Sequence, residues 1–158
     1  MSTRALTDSD VARCVQIEQA SSDYPWRASI FQRSLRLGHW AFGVVNAEAQ
    51  LVAFCVCQCV ADECSILNLA VDPSWQRQGL ARLLLHQGLL WAQAQGAQHA
   101  FLEVRQSNRA AQALYTDTGF ALVGLRENYY PVNAKGQQRH EHALLMGLDL
   151  STWPSEPE

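Results

Sequence analysis

The spacing of apolar positions changes along the chain, and each spacing predicts a different element. Val11, Cys14 and Glu18 fall on one face of a helix, so we predict a helix over residues 8–20, opened by a capping box at Thr7. Apolar runs between turn residues predict strands, and glycines mark helix ends. The remaining predicted elements are a helix at 29–36, strands at 40–45, 50–60 and 65–71, a helix at 78–96, a strand at 99–105, a helix from Ser107 to Thr118 and strands at 120–127 and 143–148.

The order of these elements predicts the fold class. The strand, helix and strand over 65–105 form a crossover, and such crossovers join parallel strands with a right-handed connection. Asn46 lies in the short turn between the strands at 40–45 and 50–60, so these two strands form a hairpin. We therefore predict an α/β fold with a mixed sheet and helices on both faces. One domain is expected over residues 1–150, followed by a short flexible, Pro-rich tail at 151–158.

Composition narrows the class of protein and its partners. The chain has 158 residues, of which 48% are hydrophobic and 17% are charged, with a formal net charge of -3. Such a composition supports a packed core. A basic stripe is missing from the sequence, so we expect no nucleic-acid partner. The first residues lack the apolar core of a secretion signal, and no apolar run is long enough to cross a membrane. We therefore expect a cytoplasmic protein without membrane contacts.

The cysteines allow two interpretations. Three of them alternate along one predicted strand and so share one of its faces, which would suit a metal or redox site. They would equally suit the core, because a free cysteine packs as a small apolar side chain. The sequence contains no Cys-x-x-Cys pair and no histidine at metal spacing near them, so we predict no metal site. The five cysteines are Cys14, Cys55, Cys57, Cys59 and Cys64.

A helix start without acidic residues is the first candidate for chemistry. No Asp or Glu occurs between Pro73 and Leu102, although 15 of the 158 residues are acidic. Arg77 and Arg82 instead place cations where a helix normally prefers anions. Gly79 leaves room for a close approach to the backbone. By itself this segment is either an anion site or an ordinary helix start.

Two motifs downstream of the crossover strand carry a family resemblance. The segment Gln76–Ala81 fits the pattern Q/R-x-x-G-x-G/A, and Ala113–Phe120 contains LYxxxGF, both typical of the GNAT superfamily of N-acetyltransferases. Other segments resemble the ribosomal-protein alanine N-acetyltransferases, the RimI family, and the resemblance spans residues 3–148. These segments are Tyr24–Trp26, Leu67–Pro73, Leu102–Asn108 and Asn128–Pro131.

The resemblance implies a fold, a reaction and a co-substrate site. The fold is the GNAT fold, a mixed, mostly antiparallel sheet with a central parallel strand pair. The reaction is acetyl transfer from acetyl-CoA to the N-terminal alanine of a ribosomal protein, the eighteenth of the small subunit. Separately from the resemblance, we expect a monomer. In the family, backbone groups of the strand hold the pantetheine arm, and the helix start holds the pyrophosphate. The implied acetyl-CoA residues are Leu69, Ala70, Val71, Arg77, Gln78, Gly79, Leu80, Ala81, Arg82 and Asn108.

The same resemblance assigns Glu103 as the proton acceptor and Tyr115 as the proton donor. Glu103 lies in a strand that we expect to be covered on both faces, where a carboxylate needs a partner or a cleft. Its alternative role is an ion pair with Arg105 or Arg126. The alternative for Tyr115 is a core aromatic. A phenol, with an ordinary pKa of about 10, is well suited to protonate a leaving thiolate.

The acceptor side has four candidates, for which packing at the rim is the alternative: Trp26, Tyr129, Tyr130 and Glu141. Near them the sequence departs from its relatives. Glu127 replaces the usual basic residue, His142 follows Glu141 where an aspartate is usual, and residues 132–140 are expected to form a longer loop. Two other functions therefore remain open. One is a GNAT enzyme for lysine side chains or a small metabolite, and the other is a non-catalytic acyl-CoA-binding module.

Overall fold

The computed structural model describes residues 1–134 and 137–154, leaving aside the side chains of 131–139. Over this part of the chain, seven strands form one sheet in the order β1-β2-β3-β4-β5-β7-β6. The elements are β1 (Ser2–Ala5), α1 (Val11–Ser21), α2 (Ala28–Arg36), β2 (Trp40–Val45), β3 (Leu51–Val60), β4 (Glu63–Val71), α3 (Leu80–Ala94), β5 (His99–Arg105), α4 (Arg109–Thr118), β6 (Ala121–Ala134) and β7 (Gln137–Asp149).

The sheet opens between its two central strands. β4 and β5 run parallel, but their register extends only from Glu63 opposite His99 to Ser65 opposite Phe101. β4 continues beside β3 as far as Val71, so in the described residues its other edge faces a widening gap. The remaining strand pairs are antiparallel. The predicted fold class is confirmed, including the central parallel pair.

Two cores cover the two faces of the sheet. α1 and α2 place Ile17 and Phe31 against Phe54 of β3 on one face. α3 places Leu84 and other leucines on the opposite face, where the alternate residues of β3 are cysteines. Side chains of a strand point to opposite faces in turn, so the alternation of Phe54 with Cys55 lets β3 serve both cores.

The cysteines behave as core side chains. Cys14, Cys55, Cys57 and Cys64 are buried free thiols, and Cys59 is half-buried. Burial raises the pKa of Cys14 to about 12, which keeps this thiol protonated and unreactive. Among the described residues, no group of three or more His, Cys, Asp or Glu side chains is placed to hold a metal ion.

Three local expectations are corrected. β1 was not predicted, because its four residues are mostly exposed and show no apolar alternation. α4 is capped by Asn108, whose side chain accepts a hydrogen bond from the Ala111 amide, and not by Ser107. The expected loop at 132–140 is instead the paired ends of β6 and β7, with Pro131 opposite His140. Residues 135–136 lie outside the described part of the chain.

The start of the expected flexible tail is also packed. Trp153 is buried, and its indole Nε1 donates a hydrogen bond of 2.8 Å to the carbonyl of Thr118 at the end of α4. The side chain of Gln93 in α3 donates to the carbonyl of Leu150 at 2.8 Å. The prediction of a flexible tail is therefore wrong as far as Trp153, while 155–158 lie outside the described residues. Of the helices that the structure describes, none is both long and apolar enough to span a membrane.

Candidate active site

The start of α3 has the geometry of an anion cradle. Gly79 is the N-cap residue and adopts a left-handed conformation with φ of 80°, which favours glycine. A Cβ at this position would meet no atom within 4 Å. In the described chain, no side chain caps the helix and its first turn carries no acid. The free N–H groups and the helix dipole therefore face open space, as an anion site requires.

The residues next to Gly79 differ in how far their side chains are exposed. Arg77 is exposed and also left-handed, with φ of 64°, and Gln78 is exposed. Leu80 is buried in the core, so only its backbone can serve a ligand. Gln76 holds the loop to the end of β4, because its side-chain amide donates to the carbonyl of Val71 at 3.1 Å.

Two residues predicted to bind the co-substrate, Arg82 and Asn108, make side-chain contacts with α4. Arg82 is exposed, and its guanidinium lies 3.5 Å from Asp117. Such a long, exposed ion pair contributes little to stability, so Arg82 stays available for another anion. Asn108 uses its side-chain oxygen to cap α4, which was the structural alternative for this residue.

The gap in the sheet exposes the β4 edge next to this cradle. Leu69 and Ala70 are half-buried and Val71 is buried. Their registered partners belong to β3, with Leu69 opposite Cys55 and Val71 opposite Ala53. The opposite backbone edge of β4 thus lies open to hydrogen bonding in the part of the chain that the structure describes. An extended ligand with amide groups fits such an edge.

Glu103 lies on the open face of β5. The strand alternates, with Leu102 and Val104 buried and Glu103 exposed, so the expectation of two covered faces is wrong. α1 and α2 pack over the β1–β4 side of the sheet and leave this part of β5 free. Of the two predicted cation partners, Arg126 is the one in place, with its Nε 3.2 Å from the Glu103 carboxylate.

Tyr115 lies on the buried face of α4 and is part of the core that contains Leu102 and Val104 of β5. It is buried, and its ring meets that of Phe120 edge to face at 6.0 Å. Burial is the main reason why the pKa of Tyr115 is raised above its ordinary value, and Cys55 and Cys57 contribute. The phenol therefore remains protonated at neutral pH, which both a core aromatic and a proton donor require.

Rings and guanidinium groups build a wall beside Glu103. The Cζ atom of Arg105 lies 4.5 Å from the centre of the Tyr24 ring and 4.3 Å from that of Tyr130. Tyr129 meets Tyr130 edge to face at 5.1 Å, and Arg126 lies over Tyr129 at 5.2 Å. We call Tyr24, Arg105, Tyr130, Tyr129 and Arg126 the tyrosine–arginine wall.

Glu141 closes the wall from β7. Its carboxylate lies 3.6 Å from Nη1 of Arg105 and accepts a hydrogen bond of 2.8 Å from the hydroxyl of Ser107. The hydroxyl of Tyr130 lies 3.5 Å from Glu103. The structure therefore brings Glu103, Tyr130 and Glu141 together on one open face.

Comparisons with known proteins agree with this geometry. The model of the acetyltransferase (GNAT) family matches residues 8–120. The chain belongs to this family. It is an N-acetyltransferase, and it is similar to enzymes named ribosomal protein bS18-alanine N-acetyltransferase. That of Salmonella typhimurium is 38% identical over 151 residues, covering 92% of this chain and 95% of the relative. That of Haemophilus ducreyi is 36% identical over 145 residues, covering 92% and 97%.

The solved structures include the ribosomal-protein-S18-alanine N-acetyltransferase of Escherichia coli. It superposes on this acetyltransferase with a TM-score of 0.86 at 33% identity, covering 99% of this chain and 98% of that one. The fold of the acetyltransferase is thus shared over the whole length of both chains.

Trp26 is the predicted acceptor residue that does not join the others. In this acetyltransferase it packs edge to face on Phe31 at 5.1 Å and is half-buried. Tyr24 reaches the wall in its place. Both residues lie in the segment between α1 and α2, and no sequence pattern indicates which of the two rings turns outward.

The sequence-based site also omitted two charged residues of the acetyltransferase. Arg105 follows Glu103 by two positions and so shares its strand face. This spacing is visible in the sequence and could have identified Arg105 as a site residue. Glu18 lies on the apolar face of α1, is buried, and accepts hydrogen bonds from the Asn68 amide and the Trp26 backbone. Burial raises the pKa of Glu18. Its position among apolar helix residues was also visible in the sequence.

Proposed function

We propose that the enzyme transfers an acetyl group from acetyl-CoA to the N-terminal alanine of ribosomal protein bS18. The observation that carries the proposal is the gap between β4 and β5. It joins the anion cradle at Gly79 to the open face that bears Glu103, so one extended ligand can reach both. The similarity to enzymes named for bS18 supports the choice of acceptor.

The cradle and the β4 edge fit acetyl-CoA. The pyrophosphate suits the free N–H groups from Gly79 to Arg82, since a helix start favours negative charge. The pantetheine arm carries amides that suit the open backbone edge of Leu69, Ala70 and Val71. Arg77 and Gln78 are exposed beside the cradle, and we propose that they contact the phosphate oxygens. Acetyl-CoA, when bound, supplies the acetyl group as a thioester.

Glu103 would accept the proton that the amine loses. An α-amino group has a pKa near 7.7–8.0 and is already partly neutral at pH 7, so a modest base is enough. As the C–N bond forms and the C–S bond breaks, one proton passes from nitrogen to the Glu103 carboxylate, directly or through a water. Arg126 lies 3.2 Å from the Glu103 carboxylate and so holds it in place on the open face.

Tyr115 would protonate the departing sulfur. Its raised pKa keeps a proton on the phenol at neutral pH, so the group is available as an acid. A thiolate, with a pKa near 8.5 for cysteine, is a weaker base than the phenolate, so the proton moves to sulfur only as the C–S bond breaks. Glu103 then releases the proton of the amine to solvent, and solvent returns one proton to the phenolate, which completes the cycle.

The tyrosine–arginine wall and Glu141 would hold the peptide. The wall is an open surface, with Tyr24 44% and Tyr129 50% exposed. Such a surface suits a polypeptide chain, whereas a small metabolite is better bound in an enclosed pocket. Glu141 is a carboxylate that faces the acceptor side and can attract an ammonium group. We further propose that the enzyme acts as a single domain and a monomer on a cytoplasmic substrate.

The proposal is tested by incubating the enzyme with acetyl-CoA and a panel of peptides, followed by mass spectrometry. The panel holds the bS18 N-terminus beginning at alanine, the same peptide with a blocked N-terminus, and peptides with other first residues. We expect acetyl groups on the free alanine amine alone. Acetylation confined to lysine side chains or small amines would overturn the acceptor, and no acetylation at all would favour a binding module.

A further inference from the structure

The bulge in β6 is unusual in size and is held from the opposite strand. Arg126 pairs with Ala143 and Tyr130 pairs with Glu141, so three residues of β6 lie opposite His142 alone. Asn128, in the middle of the three, is left-handed with φ of 51°. Its backbone N–H donates a hydrogen bond of 3.0 Å to the Nδ1 atom of the His142 ring.

This bulge explains how two consecutive tyrosines reach the same wall. In a regular strand, neighbouring side chains point to opposite faces. Tyr129 and Tyr130 nevertheless meet edge to face at 5.1 Å. Tyr129 also contacts Arg126, and Tyr130 contacts Arg105. A bulge re-aims side chains in this way, so the arrangement of both rings depends on the left-handed turn at Asn128.

We propose that His142 is a positioning residue for the acceptor cleft. Its Nδ1 accepts the Asn128 N–H and so holds the bulge, which fixes Tyr129 and Tyr130 in the tyrosine–arginine wall. This role rests on the proposed function, because it takes the wall as the peptide-binding surface. The ring must then carry its hydrogen on Nε2, leaving Nδ1 free to accept.

Substitutions of His142 that move or remove its hydrogen-bond acceptor atom distinguish this positioning role from simple packing of the ring. His142→Asn places an amide oxygen near the position of Nδ1, His142→Gln places it further out, and His142→Ala removes the acceptor. The matched control is His99→Ala, which removes an exposed histidine at the start of β5. Thermal unfolding of each variant shows that it folds.

The first readout is independent of activity. Amide hydrogen exchange by NMR should show Asn128 protected in the wild type and in His142→Asn. In His142→Ala and His142→Gln its exchange should be faster by about tenfold, the scale of one hydrogen bond. Equal exchange at Asn128 in the wild type and His142→Ala would overturn the hydrogen bond.

The second readout is steady-state kinetics with an alanine-starting peptide. His142→Ala should raise KM for the peptide by about three- to tenfold, with kcat and KM for acetyl-CoA unchanged, and His142→Asn should restore it. If exchange changes but peptide KM does not, the positioning role is wrong. If the wild type uses another amine, the proposed function fails; the exchange arm still decides the hydrogen bond, and KM for that amine decides the role.

Discussion

The guanidinium of Arg105 is clasped against the ring of Tyr130, with 4.3 Å between Cζ and the ring centre. The same guanidinium lies 4.5 Å from the ring centre of Tyr24, which is in the segment between α1 and α2. Arg105 thereby ties that segment to β6 across the open face of β5. Its Nη2 atom is buried and has no hydrogen-bond partner among the described residues.

Replacing Arg105 should weaken the acceptor side alone. In Arg105→Met the cation is lost from both rings, and each such contact is worth roughly 0.5–2 kcal/mol. We expect KM for the peptide to rise by about tenfold while the Kd of acetyl-CoA stays unchanged in calorimetry. Arg36→Met, at an exposed arginine in the last turn of α2, is the control. A normal peptide KM in Arg105→Met would mean that the wall does not bind the acceptor.

A negative charge in the cradle should prevent acetyl-CoA binding. Gly79→Glu puts a carboxylate where we expect the pyrophosphate, and the left-handed φ adds strain of about 1 kcal/mol. Gly96→Glu is a matched control, because Gly96 follows the other end of α3 with φ of 90° and open space around its Cβ. Calorimetry should detect no binding to Gly79→Glu and normal binding to Gly96→Glu. Equal binding by both would refute the cradle.

Removing the phenol of Tyr115 should slow the chemistry without loosening the fold. Tyr115→Phe keeps the ring that packs near Phe120 and loses only the hydroxyl. We expect kcat to fall about 100-fold, within the range for a general acid, with the acetyl-CoA Kd and the unfolding temperature nearly unchanged. An unaltered kcat would leave Tyr115 as a core aromatic.

Two variants separate catalysis by Glu103 from its ion pair with Arg126. Glu103→Gln removes the base, and we expect kcat to fall about 100-fold. Arg126→Met breaks the pair at 3.2 Å but keeps the carboxylate, so its kcat should fall far less. Glu63→Gln, at an exposed glutamate in β4, is the control. Equal losses in Glu103→Gln and Arg126→Met would assign Glu103 to the ion pair.

The buried carboxyl of Glu18 should make stability depend on pH. Burial raises its pKa in the folded state, so the native protein binds this proton more tightly than the unfolded chain. The free energy of unfolding therefore falls as the pH rises from the ordinary range of glutamate through the folded-state pKa.

Glu18→Gln removes this dependence and keeps an acceptor for Asn68 and Trp26. At pH 7 the variant should exceed the wild type by on the order of 1 kcal/mol, and the difference should shrink towards about pH 4. Urea unfolding across this range measures it, with Glu48→Gln at an exposed turn position as control. A wild type that gains stability relative to Glu18→Gln as the pH rises would contradict the sign.

The spacing of apolar residues was enough to predict helices and strands that bury one face. It did not predict the edge strand β1 or the outer ends of β6 and β7. The strand at His99–Arg105 was predicted with its observed bounds, because its alternation is set by the core beneath it. β1 has no such face and was missed. The ends of β6 and β7 pair with each other beyond the core, so apolar periodicity does not mark them.

The sequence named three of the charged and aromatic residues that the structure brings together. Glu103, Tyr130 and Glu141 lie on one face, while their roles stay predictions. Arg105 and Tyr24 are far apart in the sequence, and only the packing of α1 and α2 over β1–β4 brings them into contact. Trp26 was named as an acceptor candidate and Tyr24 was not, and a linear sequence does not show which ring of a loop turns toward the core.

The interrupted pairing between β4 and β5 has a consequence for how this site changes over evolution. A ligand that docks on the β4 edge forms hydrogen bonds with main-chain N–H and C=O groups. Every residue type supplies both groups except proline, which lacks the N–H. Positions 69–71 can therefore exchange one extended, apolar side chain for another while the recognition surface stays the same. Recognition there depends on the path of the main chain, whereas at Gly79 it depends on the absence of a side chain.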